Sequence, residues 1–295
     1  MDERKLPWLF LAPALILILA ITLYPLIYSL TISLQNFDIN RSAQVGVKFI
    51  GLGNYINLFK DPLFWNSLRL SVLYVIGSVT GSLTLGFGLA LLLDRELRGM
   101  TVLRSLLIIP MVVTPVSIGL TWRMMFSDTV GIINYVLETV GLPHPLWIES
   151  TKSALVSVML VDIWEWTPFM FLILLAGLRS LPISPFESAL VDGATWPQRL
   201  RYLTIPMLKP VFYVAIILRT VDALRMFDQV FIMTRGGPAQ ATDLFSLFVY
   251  RVGFKLSHMS YAAALSWILL LMSTVLLVFF VNSTGMFKRG QPQIK

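Results

Sequence analysis

Ser184-Pro-Phe-Glu-Ser-Ala-Leu-Val-Asp-Gly-Ala-Thr-Trp-Pro-Gln-Arg-Leu-Arg-Tyr-Leu-Thr-Ile-Pro-Met-Leu-Lys-Pro210 is a polar island between long apolar runs. It reads as two short helices with a hinge between them. Ser184 is placed to cap the first helix, with Pro185 in the first helical position and Glu187 in the third. That is a capping box, in which the two side chains satisfy orphan amide donors. Phe186, Ala189 and Leu190 then fall on one face. Gly193 suits the left-handed conformation that closes a helix. A second helix starts at Thr195 or Trp196, with Pro197 in its first turn. Leu200 and Leu203 make its apolar side, and Arg199 and Arg201 a basic one. Pro206 and Pro210 lead into the next apolar run. Helix–helix connections are commonly about 2–8 residues long, so a longer one with its own caps calls for a role of its own.

Working outward, the composition sets the class. Of 295 residues, 56% are hydrophobic and only 13% charged, and the mean hydropathy is +0.76. Soluble domains carry about a quarter charged residues, so the chain reads as an all-α protein crossing a membrane several times. Cysteine is absent, which excludes disulfides and thiolate metal sites. The net charge of +7 fits basic residues retained at the cytoplasmic face. No basic-aromatic cluster points to nucleic acid.

Each crossing needs about 20 mostly apolar residues. Spans are expected near 8–34, 66–93, 101–126, 153–178, 207–233 and 261–281. The first is too long for a signal-peptide core and lacks a small-residue cleavage site, so it reads as retained. Pro13 and Pro25 should kink it. The loop 35–65 should hold a short interfacial helix with Phe64 and Trp65 as anchor. Gly77, Gly81, Gly86 and Gly88, with Ser78 and Ser82, give the second span a small face for close packing. A tight polar turn, Asp94 to Gly99, follows. Pro110 and Pro115 sit near the middle of the third span. Residues 127–152 and 240–260 form further exposed loops.

Six spans place both termini on one side. That side collects Arg4, Lys5, Arg95, Arg98, Arg104, Arg179, Arg199, Arg201, Lys209, Lys288, Arg289 and Lys295 in short loops and tails. The other side holds Arg41, Lys48, Lys60, Lys152, Arg235, Arg251 and Lys255 over longer loops. The bias predicts both termini, and the 179–206 loop, in the cytoplasm.

Several chemistries are missing. There is no G-x-x-x-x-G-K-[ST] phosphate loop, no H-E-x-x-H and no G-x-S-x-G turn. No nucleophile–base pair converges in the spans, so the sequence does not read as an enzyme or as a holder of its own cofactor. What the spans do contain is charge, which costs about 2.5–3.5 kcal/mol per group at bilayer depth on insertion scales. Arg219, Asp222, Arg225 and Asp228 recur at a spacing of three, stacking along one helical stripe with alternating sign. Asp162, Trp164, Glu165 and Trp166 precede Pro168, where a helix break would expose backbone to a cavity. Two readings fit. Arg219 with Asp222 and Arg225 with Asp228 neutralise each other and lock the bundle, or the stripe lines a hydrophilic path touching solute. Trp164 and Trp166 fit either core packing or an aromatic face that stacks on a sugar.

Glu187-Ser188-Ala189, Asp192-Gly193-Ala194 and Ile205-Pro206 resemble the cytoplasmic coupling loop of ABC-importer permeases, whose motif is Glu-Ala-Ala, Asp-Gly-Ala and then Leu-Pro. Ser188 replaces the first Ala and Ile205 the Leu. Leu9-Phe-Leu-Ala-Pro-Ala14, Phe49-Ile-Gly-Leu-Gly-Asn-Tyr55, Trp164 with Thr167-Pro-Phe169, and Thr234-Arg-Gly-Gly-Pro238 extend the likeness over nearly the whole chain. Together they are similar to the sugar-type permeases of binding-protein-dependent ABC importers, the maltose and glycerol-phosphate subgroup. The resemblance implies a type I permease fold in a bacterial or archaeal inner membrane. It implies a first helix and outer loop over 1–65, a permease domain over 66–285 and a cytoplasmic tail over 286–295. It also implies partners: a second permease subunit, an ATPase dimer that alone binds ATP and Mg2+, an extracytoplasmic binding protein, membrane lipid and a carbohydrate-type solute. Phe186, Glu187, Ala189, Leu190, Asp192, Gly193, Ala194 and Arg199 would then dock on the ATPase. Asp162, Trp164, Glu165, Trp166, Arg219, Asp222, Arg225 and Asp228 would border the solute path. Other solute classes, and an ATP-independent carrier using the stripe as a proton path, remain as alternatives.

Overall fold

The structure, a computed structural model, describes residues 6–38, 46–94 and 99–284. Arg4, Lys5, Arg41, Arg95, Arg98 and the tail with Lys288, Arg289 and Lys295 lie outside the described residues. Among those described, five helices are long and apolar enough to cross a membrane, and the number is six if a sharply bent pair is counted as one span. The chain divides into two compact units, residues 1–65 with 248–271, and residues 66–247 with 272–295.

The first unit begins with α1 (Leu6–Ser33), unbroken through Pro13 and Pro25. Its apolar run, Phe10–Ser33, is exposed along most of its length and buried only at its end, at Ser33. Strands β1 (Gln35–Asn36) and β2 (Lys48–Phe49) pair antiparallel, Gln35 opposite Phe49. The expected short helix follows as α2 (Gly53–Lys60). Asn54 anchors it by donating to the carbonyls of Ser33 (2.8 Å) and Gln35 (2.9 Å). Phe64 is buried, and the Trp65 indole donates to the Phe59 carbonyl at 2.9 Å. Tyr261 donates to Asp61 at 2.9 Å and His258 pairs with Asp38 at 3.0 Å, around a cavity of about 480 Å³. These polar groups are committed to one another.

The second unit is the helical bundle. Helix α3 (Pro62–Leu93) enters it and packs on α7 (Ala154–Arg179). The small-residue face operates as expected at three of its four glycines: a Cβ on Gly77 would meet Met159, on Gly81 Ile163, and on Gly86 Met170. Gly88 faces open space. Ser78 and Ser82 are fully buried on the same helix. Toward one end, Ala90, Leu93, Phe171, Leu174 and Leu175 close the core.

The third span is not one helix. It consists of α4 (Met100–Val112) and α5 (Pro115–Met125), bent by 94°. Pro115 bars its predecessor from the helical region, and Thr114 is extended at φ −65°, ψ 138°. After α6 (Ile132–Thr139) in the outer loop comes α7, which runs straight through Pro168. The break expected there is absent; it lies elsewhere. The fifth span does not reach 233 as expected: it ends at Leu224 with α10 (Ile205–Leu224), and a non-helical Arg225-Met-Phe227 and the short α11 (Asp228–Met233) follow. Helix α12 (Phe245–Tyr250), a wide turn and α13 (Met259–Thr284) complete the described residues.

Gly86 sets the α3–α7 distance. A Cβ there would lie 2.6 Å from the Met170 Cβ and 2.9 Å from the Phe171 amide nitrogen. We expect Gly86→Val to destabilise the protein by about 1–3 kcal/mol through overpacking. Gly88→Ala should be neutral or slightly stabilising, since it only removes glycine's helix penalty. Thermal unfolding of the detergent-solubilised protein separates the two, and equal shifts would refute the packing argument.

Candidate functional site

Two places collect the predicted residues. The first is the polar connector after α7. Helix α8 (Ser184–Val191) starts on the Ile183 carbonyl, which accepts from the amides of Phe186 (2.9 Å) and Glu187 (3.1 Å). The capping box expected at Ser184 and Glu187 is not formed, because Ser184 is already helical and its side chain makes no cap bond. The box sits one helix later: the Thr195 amide donates to Gln198 Oε1 at 2.7 Å, and the Thr195 hydroxyl to the same oxygen at 2.9 Å. Between them Gly193 is left-handed at φ +77°. The Ala194 amide reaches back to the Ala189 carbonyl at 2.8 Å, the helix-closing bond that such a glycine permits.

Nor is the second helix a separate piece. Helix α9 (Trp196–Arg199) continues through a wider, π-type turn at Leu200–Thr204 into α10. Residues Trp196–Leu224 thus form one 29-residue helix. The extra residue in the π turn accommodates Pro206, which has no amide to donate and whose ring crowds the preceding turn. Phe186 turns inward, lining a cavity of about 300 Å³ with Leu181, Trp196 and Arg199. Ala189, Ala194 and Arg199 are half-buried, while Glu187, Asp192 and Gly193 are exposed. Leu190 is 54% exposed and Val191 89%. Val191 was not singled out by helical spacing from Phe186, and it is the most exposed apolar side chain of the connector.

The second place is a buried polar network. Arg219 is fully buried. Its Nη2 donates to Asp162 and, at 3.0 Å, to Ser78 Oγ; its Nη1 donates to Asp222 at 2.8 Å. The Trp166 ring covers the guanidinium, centroid 4.9 Å from Cζ. Ser78 also donates to Asp162. One cation thereby joins α3, α7 and α10. Three residues further along α7, the buried Glu165 accepts from the amide of Gln229 in α11. Asp162 Oδ1, Arg219 Nε and Gln229 Oε1 are buried without hydrogen-bond partners among the described residues.

This geometry corrects the single stripe. Arg219 and Asp222 lie in α10, but the helix ends at Leu224, so Arg225 and Asp228 leave the line. Arg219 pairs with Asp222 as expected; Arg225 and Asp228 form no ion pair among the described residues and are exposed. Trp164 and Trp166 do not make a common face either. Two residues apart on a helix, they point to opposite sides: Trp166 lies on Arg219, and Trp164, 42% exposed, packs edge-on to Trp122 at 5.4 Å. Sequence reasoning missed Gln229 and Trp122. The signal for Gln229 was present, as an uncharged amide inside an apolar run.

The comparisons agree over most of the chain. Residues 82–290 match the family model described as "Binding-protein-dependent transport system inner membrane component". The trehalose/maltose transport system permease protein MalF of Thermococcus litoralis is 36% identical over 273 residues, covering 90% of this chain and 92% of that protein. The lactose transport system permease protein LacF of Rhizobium radiobacter is 34% identical, covering 91% and 90%. The sulfoquinovosyl glycerol transport system permease protein SmoG of Agrobacterium fabrum is 34% identical, covering 92% and 88%. A chain of a bacterial alginate ABC transporter, solved with an alginate pentasaccharide-bound periplasmic protein, superposes with TM-score 0.81 at 19% identity over 97% of this chain and 96% of that one. At that identity the last likeness concerns the fold.

Removing one partner of a buried ion pair strands the other, at a cost of about 3–5 kcal/mol. Arg219→Met is expected to lower stability by that order. Arg219→Lys should rescue little, since one ammonium cannot span three acceptors as the guanidinium fork does. Arg219→Met with Asp162→Asn should recover part of the loss. Unfolding temperatures and membrane abundance read this out; a stable single Arg219→Met would refute the lock.

Proposed function

This chain belongs to the binding-protein-dependent transport system inner membrane components, and we propose that it forms one half of the solute path of an ATP-driven importer for a carbohydrate-type solute. Permeases named for trehalose/maltose, lactose and sulfoquinovosyl glycerol support that solute class. An oligosaccharide, disaccharide, polyol or glycerol-phosphate-like compound falls within it. On this reading both termini are cytoplasmic. A second permease subunit completes the path, a binding protein delivers solute from outside, and an ATPase dimer docks inside. ATP and Mg2+ belong to that ATPase; this chain holds no cofactor. The bare α1 meets lipid or the second subunit.

The carrying observation is the connector. Val191 and Leu190 stand exposed at the tip of a capped helix, and the next helix is continuous with a membrane span. An apolar tip fits a groove on a partner, as short helices do. A continuous helix transmits that partner's rigid-body motion where a floppy loop would dissipate it. Phe186 and Arg199 brace the tip from inside, and Glu187 and Asp192 flank it with charge. An ATP-independent carrier has no use for such a lever.

Proline requires φ near −65°, and Gly193 sits at +77°. Gly193→Pro should therefore leave membrane insertion intact and cut solute-stimulated ATP hydrolysis at least about tenfold. Val191→Asp should do the same by spoiling the apolar tip. Normal stimulated hydrolysis in both variants, in the complex reconstituted with its partners, would end the docking reading. Gentle extraction of the tagged chain identifies those partners, and the ligand on the co-purified binding protein identifies the solute.

A further inference from the structure

Helix α7 holds the chain on both sides of the break that follows α10. Asp162 and Glu165 are three residues apart and share a face. Asp162 grips Arg219, in α10 before the break; Glu165 grips Gln229, in α11 after it. Between them the non-helical Met226 offers its carbonyl to the Ser246 hydroxyl.

Helix α11 does not stand alone beyond the break. It packs on α5, the second half of the bent third span. Gly119 lies so near that a Cβ would be 3.0 Å from the Ile232 Cβ, and Arg123 Nη1 donates to the Ile232 carbonyl at 3.2 Å. The second half of the bent third span and the short α11 thus form a pair. That pair meets α7 through Trp122 against Trp164 and through the Gln229–Glu165 bond. The ring contact tolerates sliding. The hydrogen bond does not: it is buried and directional.

We propose that Glu165 and Gln229 are positioning residues for solute transfer, their bond fixing where the α5–α11 pair stands against α7 and so holding the path closed until the ATPase closes. The inference rests on the importer reading above. Packed interfaces switch between discrete arrangements and do not drift. A bond that must be broken for the pair to shift is therefore part of the barrier to opening. Asp162 and Arg219, by contrast, hold the helix before the break and serve as its fixed anchor.

The test uses the complete complex with its ATPase, second permease and binding protein in proteoliposomes. Three variants are compared: Glu165→Leu, Gln229→Leu, and the exchange Glu165→Gln with Gln229→Glu, which keeps a donor and an acceptor in place. The readouts are permease abundance, ATP hydrolysed per solute imported, and KM for the loaded binding protein. Each single variant is expected to assemble at wild-type level, to raise the ATP-to-solute ratio about tenfold, the scale of one lost buried hydrogen bond, and to raise KM. The exchange should return the ratio to within about twofold of wild type. If a leucine variant loses abundance, Gln229→Met, which removes the donor and keeps the chain length, carries the same comparison. Wild-type ratio and KM in the assembled single variants overturn the proposal, as does an assembled exchange variant as uncoupled as the singles. A wild-type complex without binding-protein-stimulated hydrolysis overturns the importer reading instead.

Discussion

A guanidinium with no exposed surface dominates this structure. Arg219 lies inside a bundle of membrane helices, where an unpaired charge costs several kcal/mol. The cost is offset only if acceptors meet its terminal nitrogens. Asp162 and Ser78 supply them from two neighbouring helices, Asp222 from the next turn of its own, and Trp166 caps the face. Three helices must therefore hold one register and one separation. The glycines of α3 make that separation possible, since a side chain at Gly81 or Gly86 would keep α7 away from Ser78.

With the centre so fixed, irregularity is pushed to the periphery. The third span bends where Pro115 denies Thr114 a helical conformation, and the fifth stops after Leu224. Non-helical backbone at membrane depth survives only where protein or water satisfies it. Here Ser246 serves the Met226 carbonyl, and the two outer half-helices shelter each other. Rigid anchor and paired half-helices meet along a single helix, α7, whose two buried acids address one each.

In the connector after α7 the same economy holds. One left-handed glycine, one capping box and one π turn shape the connector. The π turn matters most, because it lets a membrane helix continue past Pro206 and Pro210 to Trp196, one glycine turn away from the helix that carries Val191. From Trp196 to Arg219 the helix is uninterrupted.

Class, span number and the polar connector were legible in the sequence, because each depends on local composition: hydrocarbon thickness sets span length, and glycine and proline punctuate what lies between. Gly193 could be placed because only glycine takes that φ cheaply. The breaks were legible only as suspects. Pro110, Pro115, Pro168, Pro206 and Pro210 look alike in sequence, yet only Pro115 adjoins a break, since whether neighbouring turns absorb a missing amide depends on what packs around them. The charges show the same divide. Spacing could place Arg219 and Asp222 on one helix face; it could not show that Asp162 and Ser78, 57 and 141 residues away, would claim the same guanidinium. Nor could it show that α10 ends before Arg225. By itself the sequence determined which residues are too costly to leave unpaired in a membrane. The tertiary structure alone decided their partners, because only packed helices bring distant side chains within hydrogen-bond reach.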